Sequence, residues 1–401
     1  MFHCELPPLI VTSNRPSLVQ PAWTMDFDLD SRARQAECLV ITGGGGFVLG
    51  RVGLDWLESS ALNLLILFDR RFDDAARDLF APHVTSGRAV LFEGDVTESS
   101  DWSRLTAEHG NAITHFVSGA ALTPTEEDER ARPADIIKIN LIGNINALEF
   151  ARTLTQLTRF VFISSDAVYG TPGFGRPEAA PAPAADSAAD SAAVAPVLRI
   201  ASTFGDSDRA AAPPLYPLTK WAGEGAVVKW SELFGLPAVC VRFTDVYGRG
   251  DRDTGARNRH NAPFFVARRV AGGLPVRIAG DIDGLGWDYV DVDSVARGVV
   301  ALLAAAAPPL RRVYDIASGS GGVTHRALIH AAGGDEAVAS AVVIGARDCA
   351  EERDVTTLDA GHHLRRFAYD VSPMTKEFGW FPTPLSEAMA EYVAWLRLRE
   401  S

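Results

Sequence analysis

Residues 38–50 read CLVITGGGGFVLG and place four consecutive glycines between two patterned segments. The preceding CLVIT is an apolar run typical of a buried strand, and residues 47–57 (FVLGRVGLDWL) return to helical spacing. The glycines could form a slack surface loop. The order strand, glycine turn, helix favours a loop that binds a phosphate, because bare glycines allow close backbone approach and helix-start N–H groups attract anions.

The bulk composition is that of a globular protein with one large or two ordinary domains. The chain has 401 residues, is 47% hydrophobic, carries a net charge of −13 and contains no basic block, which argues against nucleic acid as a partner. The apolar runs at 64–68 and 301–307 are far shorter than the roughly 18 residues that span a bilayer. We therefore expect a cytoplasmic protein without a membrane segment.

The cysteines and histidines give no sign of disulfides or metal. The four cysteines are scattered, and two of them lie in apolar runs where a cysteine is usually a small buried hydrophobe. The nine histidines include one adjacent pair, His362 and His363, and form no HxxxH motif. We predict no metal site.

Strand-like and helix-like segments alternate from residue 38 onward. This alternation predicts an α/β fold, a doubly wound parallel sheet of the Rossmann type with a smaller C-terminal α/β substrate lobe. An apolar stripe at Ile137, Leu141, Ile145 and Leu148 indicates one of the helices. The predicted strands span residues 38–42, 62–69, 88–93, 113–117, 160–164 and 238–243.

We expect three regions along the chain. Residues 1–36 are an N-terminal extension with little periodicity and poor order, residues 37–245 form the dinucleotide-binding domain, and residues 246–401 are mainly the substrate lobe. A Pro/Ala-rich insert at 171–214 interrupts the first domain, and its composition cannot bury a core of its own. Its inner part, residues 196–204, is apolar enough to dock as a lid or against a partner subunit.

Carboxylates follow the second and third predicted strands. Asp69 ends LNLLILFD, where a carboxylate can accept hydrogen bonds from the adenosine ribose and repel a 2′-phosphate, favouring NAD over NADP. Arg70 and Arg71 follow directly and weaken that preference. Asp95 of EGDV would lie near the adenine, or would instead cap the next helix.

The segment YPLTK (216–220) places Tyr216 and Lys220 on one face of a helix. An ammonium beside a phenol favours the phenolate, which would move the tyrosine pKa toward neutrality and suit it for proton transfer during hydride transfer. The alternative is an ordinary exposed pair. Upstream, Ser164, Ser165 and Asp166 stand at the carboxyl end of the fifth strand, the edge where open α/β sheets bind ligands.

From about residue 38 to the C-terminus, the sequence resembles the extended short-chain dehydrogenase/reductases of the NAD-dependent epimerase/dehydratase type, because it carries several of their motifs in the same order. The motifs are TGGGGFV (42–48), GDV (94–96), SGAA (118–121), NLIGNINALEFA (140–151), ISSDAVYG (163–170), YPLTK (216–220), RFTDVYGRG (242–250), WDYVDVDSVA (287–296) and FGWFPTPLSEAM (378–389).

The resemblance implies the roles of individual residues. It implies a catalytic trio of Ser165, Tyr216 and Lys220, and a homodimer built through helices at 136–152 and 216–233. It implies NAD as cofactor, held by Gly43, Gly46, Phe47, Val48, Asp69, Asp95, Val96, Ser118, Ala120, Tyr216 and Lys220.

Three departures from the family pattern concern the cofactor and the reaction. Leu49 replaces the third glycine of TGxxGxxG, so the first helix is expected to sit slightly apart or to begin differently. Ser118 stands where many members have histidine. The dehydratase branch needs an acid and a base after the serine, and here Asp166 is followed by Ala167, which disfavours dehydration.

Two further departures concern the substrate. Asp245 and Trp287 stand where nucleotide-sugar enzymes of this type carry an asparagine and a diphosphate-binding arginine, and both are poor diphosphate partners. This favours a smaller sugar acid or polyol, in contact with Ser165, Asp166, Asp245 and Trp287. The alternative is that another arginine contacts the diphosphate, the candidates being Arg249, Arg252, Arg365 and Arg366.

Three functions remain open at this point. The first is an NAD-dependent oxidoreductase acting on a secondary alcohol or ketone of a sugar-like metabolite, with Tyr216 as acid/base. The second is a nucleotide-sugar epimerase with tightly bound NAD. The third is a dinucleotide-sensing protein without turnover; such proteins typically lack the tyrosine or the lysine, and this chain has both.

Overall fold

The computed structural model describes residues 36–169, 214–257, 260–279, 281–283, 287–344, 356–357 and 369–400. The predicted N-terminal extension up to residue 35 lies outside the described residues. So does the predicted insert from 171 to 213, with its proposed lid.

A seven-stranded parallel sheet forms the centre of the protein, in the order β10-β6-β5-β4-β1-β2-β3. All six predicted strands are present within two residues of their expected starts and ends, and the fold class is confirmed. The strands are β1 (Cys38–Thr42), β2 (Leu64–Asp69), β3 (Ala89–Glu93), β4 (His115–Ser118), β5 (Arg159–Ser165), β6 (Ala238–Phe243) and β10 (Val313–Ile316).

Helices cover both faces of the sheet, as strands buried on both faces require. Alternate residues of β1 show the two layers: Leu39 and Ile41 belong to one apolar core, and Cys38 and Val40 to the other. The helices around the sheet are α1 (Phe47–Ser59), α2 (Asp74–Thr85), α3 (Ser99–His109), α4 (Glu126–Ala131), α5 (Pro133–Ile137), α6 (Gly143–Ala151), α7 (Leu215–Phe234), α9 (Val292–Ala304) and α11 (Ser372–Phe378).

The helix predicted at 136–152 contains a π-helical turn, Lys138–Ile142, between α5 and α6. The helix prediction was right, and within the apolar stripe Leu148 is buried whereas Ile137 is 39% exposed. The buried residues of this helix also include Ile136, Asn140 and Asn144. The two asparagines are buried because their side chains bind the loop that follows β4.

A second, smaller layer follows β6 and has its own apolar core. Its elements are β7 (Asp245–Tyr247), α8 (Ala262–Ala271), β8 (Arg277–Ala279), β9 (Tyr289–Asp291), α10 (His325–Ser340), β11 (Val342–Ile344), β12 (Thr356–Thr357) and α12 (Leu385–Glu400). The late elements α9, β10 and α11 return to the main sheet and its core. The domain boundary at residue 245 stays a prediction.

Within the described part of the chain, every helix is too short or too polar to cross a membrane. Cys38 and Cys240 are free and buried in strands, as predicted, and burial raises the pKa of the Cys38 thiol to about 11. The described residues contain no group of three His, Cys, Asp or Glu side chains that could hold a metal ion.

Candidate active site

The glycine run forms a tight turn between β1 and α1. Gly43 has a φ of +78°, and its N–H donates to the carbonyl of Phe68 at 2.9 Å. A Cβ on Gly43 would lie 2.9 Å from the Cα of Ala120, and a Cβ on Gly44 would lie 2.5 Å from a side-chain carbon of Leu67. The first two glycines are therefore required by space, and Gly43 also by its backbone conformation.

Helix α1 begins directly after the run. Gly46 is its N-cap and supplies no side-chain hydrogen bond, so the first N–H groups of the helix, at Phe47 and Val48, have no partner within the helix. Backbone donors at a helix start, reached through bare glycines, suit a pyrophosphate. The loop therefore fits the dinucleotide that the sequence predicts.

The leucine at the third glycine position is accommodated by a glycine elsewhere. Leu49 is buried, and a Cβ on Gly119 would come within 2.3 Å of its Cδ1 atom. The missing side chain of Gly119, in the loop after β4, thus makes room for Leu49. Helix α1 begins at Phe47, and its side chains pack into the core of the main sheet.

Asp69 borders the glycine loop. Its Oδ2 atom accepts a hydrogen bond from the Gly45 N–H at 2.9 Å. Burial raises the pKa of this carboxyl, and the backbone N–H groups of Gly45, Arg70 and Arg71 oppose the rise. A carboxylate at the end of β2, next to the loop, is placed to accept the ribose hydroxyls.

Asp95 and Val96 lie beyond β3, and Asp95 is not a helix cap. Its carboxylate accepts hydrogen bonds from the N–H and hydroxyl of Thr97, at 2.9 and 2.8 Å, whereas α3 is preceded by Glu98 as N-cap. Val96 is buried, and its carbonyl accepts from the side chains of Trp102 and Asn146. Both residues thus lie in the loop after β3, the strand that pairs with β2 and its last residue Asp69.

The loop after β4 is held by two asparagines that sequence reasoning missed. The Ser118 hydroxyl donates to Asn144 at 2.9 Å, so this side chain is engaged within the protein. Asn140 binds both the N–H and the carbonyl of Leu122, at 2.7 and 3.0 Å, and the N–H of Ala120 donates to Thr42. Asparagines four apart in an apolar helix were the available signal.

The catalytic trio predicted from the resemblance comes together at the carboxyl end of β5. Ser165 lies beside the Tyr216 hydroxyl, whose pKa it lowers by hydrogen bonding, and both residues are half-buried. The Lys220 ammonium is buried, donates to the carbonyl of Ile163 at 2.7 Å and lies 5.7 Å from the centroid of the Tyr216 ring.

The protonation of this group differs from the sequence-based expectation. Burial raises the pKa of Tyr216 to about 12, against the lowering effect of the Ser165 hydrogen bond, so the expected shift toward neutrality was wrong for the protein alone. Burial also lowers the pKa of Lys220 to about 8, although Glu224 opposes this. The Lys220 ammonium faces a carbonyl oxygen. Burial thus acts on both groups in the same sense, because it raises the pKa of Tyr216 and lowers the pKa of Lys220, and so favours the neutral form of each.

A polar network lies behind Ser165. Asp166 is buried and accepts hydrogen bonds from the Ser165 hydroxyl at 3.2 Å and the Tyr369 hydroxyl at 2.8 Å. Tyr169 donates to Asp315, whose pKa burial raises to about 6. Tyr369 and Asp315 are both far from the catalytic motifs in sequence, and no local pattern marked them.

The predicted substrate residues Asp245 and Trp287 are less closely joined to the trio. Asp245 is exposed at the start of β7, and its charge acts on Tyr216 by raising the phenol pKa. Trp287 is half-buried and packs against the core of the smaller layer. Both positions remain predictions as substrate contacts.

The arginines considered for a diphosphate have other partners or lie outside the described residues. Arg249 pairs with Asp293 at 2.8 Å, and Arg252 pairs with Asp73 at 2.7 Å. Arg365 and Arg366 are not among the described residues.

A sequence profile described as the NAD dependent epimerase/dehydratase family matches residues 39–317. The chain belongs to this family. The membership confirms the extended short-chain dehydrogenase/reductase resemblance, the enzyme class and NAD as the cofactor.

Individual relatives are distant. UDP-glucuronate 4-epimerase 3 of Arabidopsis thaliana is 24% identical over 302 residues, which cover 71% of this chain and 59% of that protein. This chain thus spans about six tenths of the length of that relative. dTDP-glucose 4,6-dehydratase of Mycolicibacterium smegmatis is 23% identical over 371 residues, covering 90% of this chain and 94% of that protein.

A solved structure shows the same fold. UDP-glucuronic acid 4-epimerase from Bacillus cereus, in complex with UDP-glucuronic acid and NAD, superposes with a TM-score of 0.64 at 19% identity, covering 90% of this chain and 99% of that one.

Proposed function

We propose that this enzyme is an NAD-dependent nucleotide-sugar epimerase that keeps its cofactor bound and inverts a sugar carbon, the 4-position being the first candidate. The observation that carries the proposal is the meeting of Tyr216, Ser165 and Lys220 at the sheet edge beside the glycine loop. The relatives named for nucleotide-sugar epimerisation support this alternative more than the free sugar acid or polyol.

Separate residues of the chain would bind the cofactor and transfer the proton. Gly43, Gly46, Phe47, Val48 and Asp69 would hold NAD, which when bound supplies the acceptor and donor of hydride. The phenolate oxygen of Tyr216 takes the proton of the reacting hydroxyl and later returns it, while the Ser165 hydroxyl hydrogen-bonds the same oxygen. The ketone must present its opposite face before reduction for the configuration to invert.

Lys220 places a positive charge beside Tyr216. Burial raises the pKa of Tyr216 to about 12 with this lysine already in place, so the phenolate becomes accessible near neutral pH only when cofactor and substrate change the surroundings of the ring. Lys220 keeps its own charge below a pKa of about 8. Its bond to the Ile163 carbonyl fixes the ammonium at one position relative to the ring.

Dehydration is the second candidate, because the relative with the fullest coverage quoted above is a dehydratase. The residues after Ser165 oppose it. Asp166 already accepts hydrogen bonds from Ser165 and Tyr369, and Ala167 offers no acid or base. Elimination of water needs a proton donor for the leaving hydroxyl, and these two positions supply none that is unengaged.

We also propose that the enzyme is a cytoplasmic homodimer. Large apolar side chains on the two predicted interface helices are exposed, namely Ile137, Ile142 and Trp221, at 39, 41 and 39%. Ile137 and Ile142 lie on the helix that carries the buried asparagines, and Trp221 lies on α7. A second copy of the chain would cover them.

The test begins with the purified protein. Its bound nucleotide is released by denaturation and identified, and the protein is then incubated with a panel of nucleotide sugars, free sugar acids and polyols. The proposal predicts co-purifying NAD and interconversion of two nucleotide-sugar epimers without net NADH. Net NADH from a free polyol would support the dehydrogenase instead, a 4-keto-6-deoxy product the dehydratase, and no turnover on any compound a sensor.

A further inference from the structure

Residues 250–257, which we call the strap, run from β7 of the smaller layer to the loops that follow β1, β2 and β4 of the main sheet. The strap follows β7, and Gly250 and Gly255 in it have φ values of +88° and +75°. Glycines at these two positions allow turns that other residues would adopt only with strain. The segment can therefore reach three loops of the main sheet.

Arg252 is the strongest attachment of the strap. Its guanidinium pairs with both carboxylate oxygens of Asp73, at 2.7 and 3.0 Å, and donates to the carbonyl of Gly45 at 2.9 Å. The pKa of Asp73 is lowered, chiefly by this hydrogen bond. One side chain of the strap thus joins the glycine loop to the start of α2.

Further contacts attach the strap to the loops after β2 and β4. Arg71, two residues after Asp69, donates to the carbonyl of Thr254 at 3.0 Å. After β4, the N–H and the hydroxyl of Thr123 both donate to the carbonyl of Ala256 at 3.0 Å. The strap is therefore attached to the loops after β1, β2 and β4.

The end of the strap contacts the helix start that suits the pyrophosphate. The Arg257 guanidinium lies 5.5 Å from the ring centroid of Phe47, within the range of a cation–π contact. It is held there by both carboxylate oxygens of the buried Asp251, at 3.2 Å each.

The loops that the strap contacts lie at the point where the strand order of the main sheet reverses. Strand order reverses between β1 and β4, and the crevice outside such a reversal is where an open α/β sheet binds a dinucleotide. We propose that the strap closes over bound NAD and retains it through many turnovers, with Arg252 as the residue that holds it shut. This rests on the retained cofactor of the epimerase proposal and deepens it by naming the segment that retains it.

The test measures NAD release directly. Protein loaded with radiolabelled NAD is freed of excess label by gel filtration, unlabelled NAD is added, and the loss of label is followed without any sugar present. Arg252→Ala should release NAD about tenfold faster than wild type, as expected for loss of charge-assisted hydrogen bonds. Arg252→Lys should release NAD at a rate between those of wild type and Arg252→Ala, because an ammonium keeps the charge but cannot make the bidentate contact.

The matched control is Arg249→Ala. This arginine immediately precedes the strap and pairs with Asp293 on α9, so its removal should leave the release rate unchanged. Higher salt should accelerate release from wild type more than from Arg252→Ala, since the Arg252 and Asp73 side chains are partly exposed and screened.

A second measurement covers the case in which Arg252→Ala loses stability. Hydrogen exchange of the amides at 250–257 should slow when NAD binds to wild type and slow less in the variant. The proposal would be overturned if Arg252→Ala released NAD at the wild-type rate, or if Arg249→Ala accelerated release as much as Arg252→Ala. It would also be overturned if hydrogen exchange in the strap were the same with and without NAD. Failure of the sugar panel would leave these outcomes untouched.

Discussion

The hydroxyl of Tyr369 donates a 2.8 Å hydrogen bond to Oδ2 of Asp166, across 203 positions of the chain. The other carboxylate oxygen of Asp166 accepts from the Ser165 hydroxyl. A tyrosine after the last strand of the sheet thus fixes the carboxylate that orients the proposed catalytic serine.

Tyr369→Phe should therefore lower kcat/KM by about tenfold, because one hydrogen bond to a buried carboxylate is lost and Ser165 is held less firmly. NAD binding should not change. Tyr392→Phe is the control, since its buried hydroxyl has no hydrogen-bond partner among the described residues. Equal kinetics for wild type and Tyr369→Phe would exclude the positioning role.

Tyr216→Phe should reduce turnover roughly a hundredfold or more, because it removes the group that moves the proton. The phenol is not part of the glycine loop, so the NAD that co-purifies should stay near one equivalent. Steady-state kinetics and the absorbance of released nucleotide measure the two effects. Activity within a few-fold of wild type would remove Tyr216 from the mechanism.

Asp69→Ala should weaken NAD binding and reduce discrimination against NADP, because the carboxylate both accepts from the ribose and repels a 2′-phosphate. Titration calorimetry with both dinucleotides gives the ratio of the dissociation constants for NADP and NAD. Asp74→Ala, which removes an exposed carboxylate from the first turn of α2, should leave that ratio as in wild type. A wild-type enzyme that already binds NADP as well as NAD would contradict this role for Asp69.

Gly43→Ala should abolish NAD binding and destabilise the fold by more than Gly235→Ala. Both glycines have positive φ, but a Cβ at Gly235 meets nothing within 4 Å, whereas one at Gly43 meets Ala120. Gly235→Ala should cost about 1 kcal/mol of conformational strain. Chemical denaturation compares the two, and equal losses would mean that the contact with Ala120 is readily relieved.

His115 makes stability depend on pH. Burial lowers its pKa from 6.5 to about 4, so between these values the unfolded chain binds a proton that the folded chain does not. Stability then rises with pH through this window and falls on acidification, by up to about 3 kcal/mol from this group. His115→Asn should flatten the dependence between pH 4 and 6.5, whereas His330→Asn, at an exposed position, should not. Parallel curves for wild type and His115→Asn would refute this.

The sequence was most informative where its signals were local. Strands of continuous apolar residues and the glycine turn predicted the sheet, and the spacing of Tyr216 and Lys220 predicted two members of one site. The stripe at Ile137 predicted a helix that is present, but it did not reveal the two asparagines that are buried on that helix. A helical period reports which residues share a face, and it does not report which face is covered.

The remaining site residues depend on contacts between distant segments. Tyr369 and Arg252 have no local pattern, since their partners lie 203 and 179 positions away. The pKa of Tyr216 could not be derived from its spacing to Lys220, because burial is the largest influence on it. Burial is a property of the assembled protein.

Leu49 and Gly119 show how one steric requirement can be met from either side. In this chain the large side chain is on the helix and the bare backbone is on the neighbouring loop, whereas the TGxxGxxG pattern has a glycine at the helix position. The two positions should therefore vary together through evolution: homologues with glycine at position 49 can carry a side chain at position 119, and those with leucine cannot. A protein changed at only one of the two positions would have either a steric clash or a cavity. We therefore expect the two residues to be inherited together and to mark a lineage within the family.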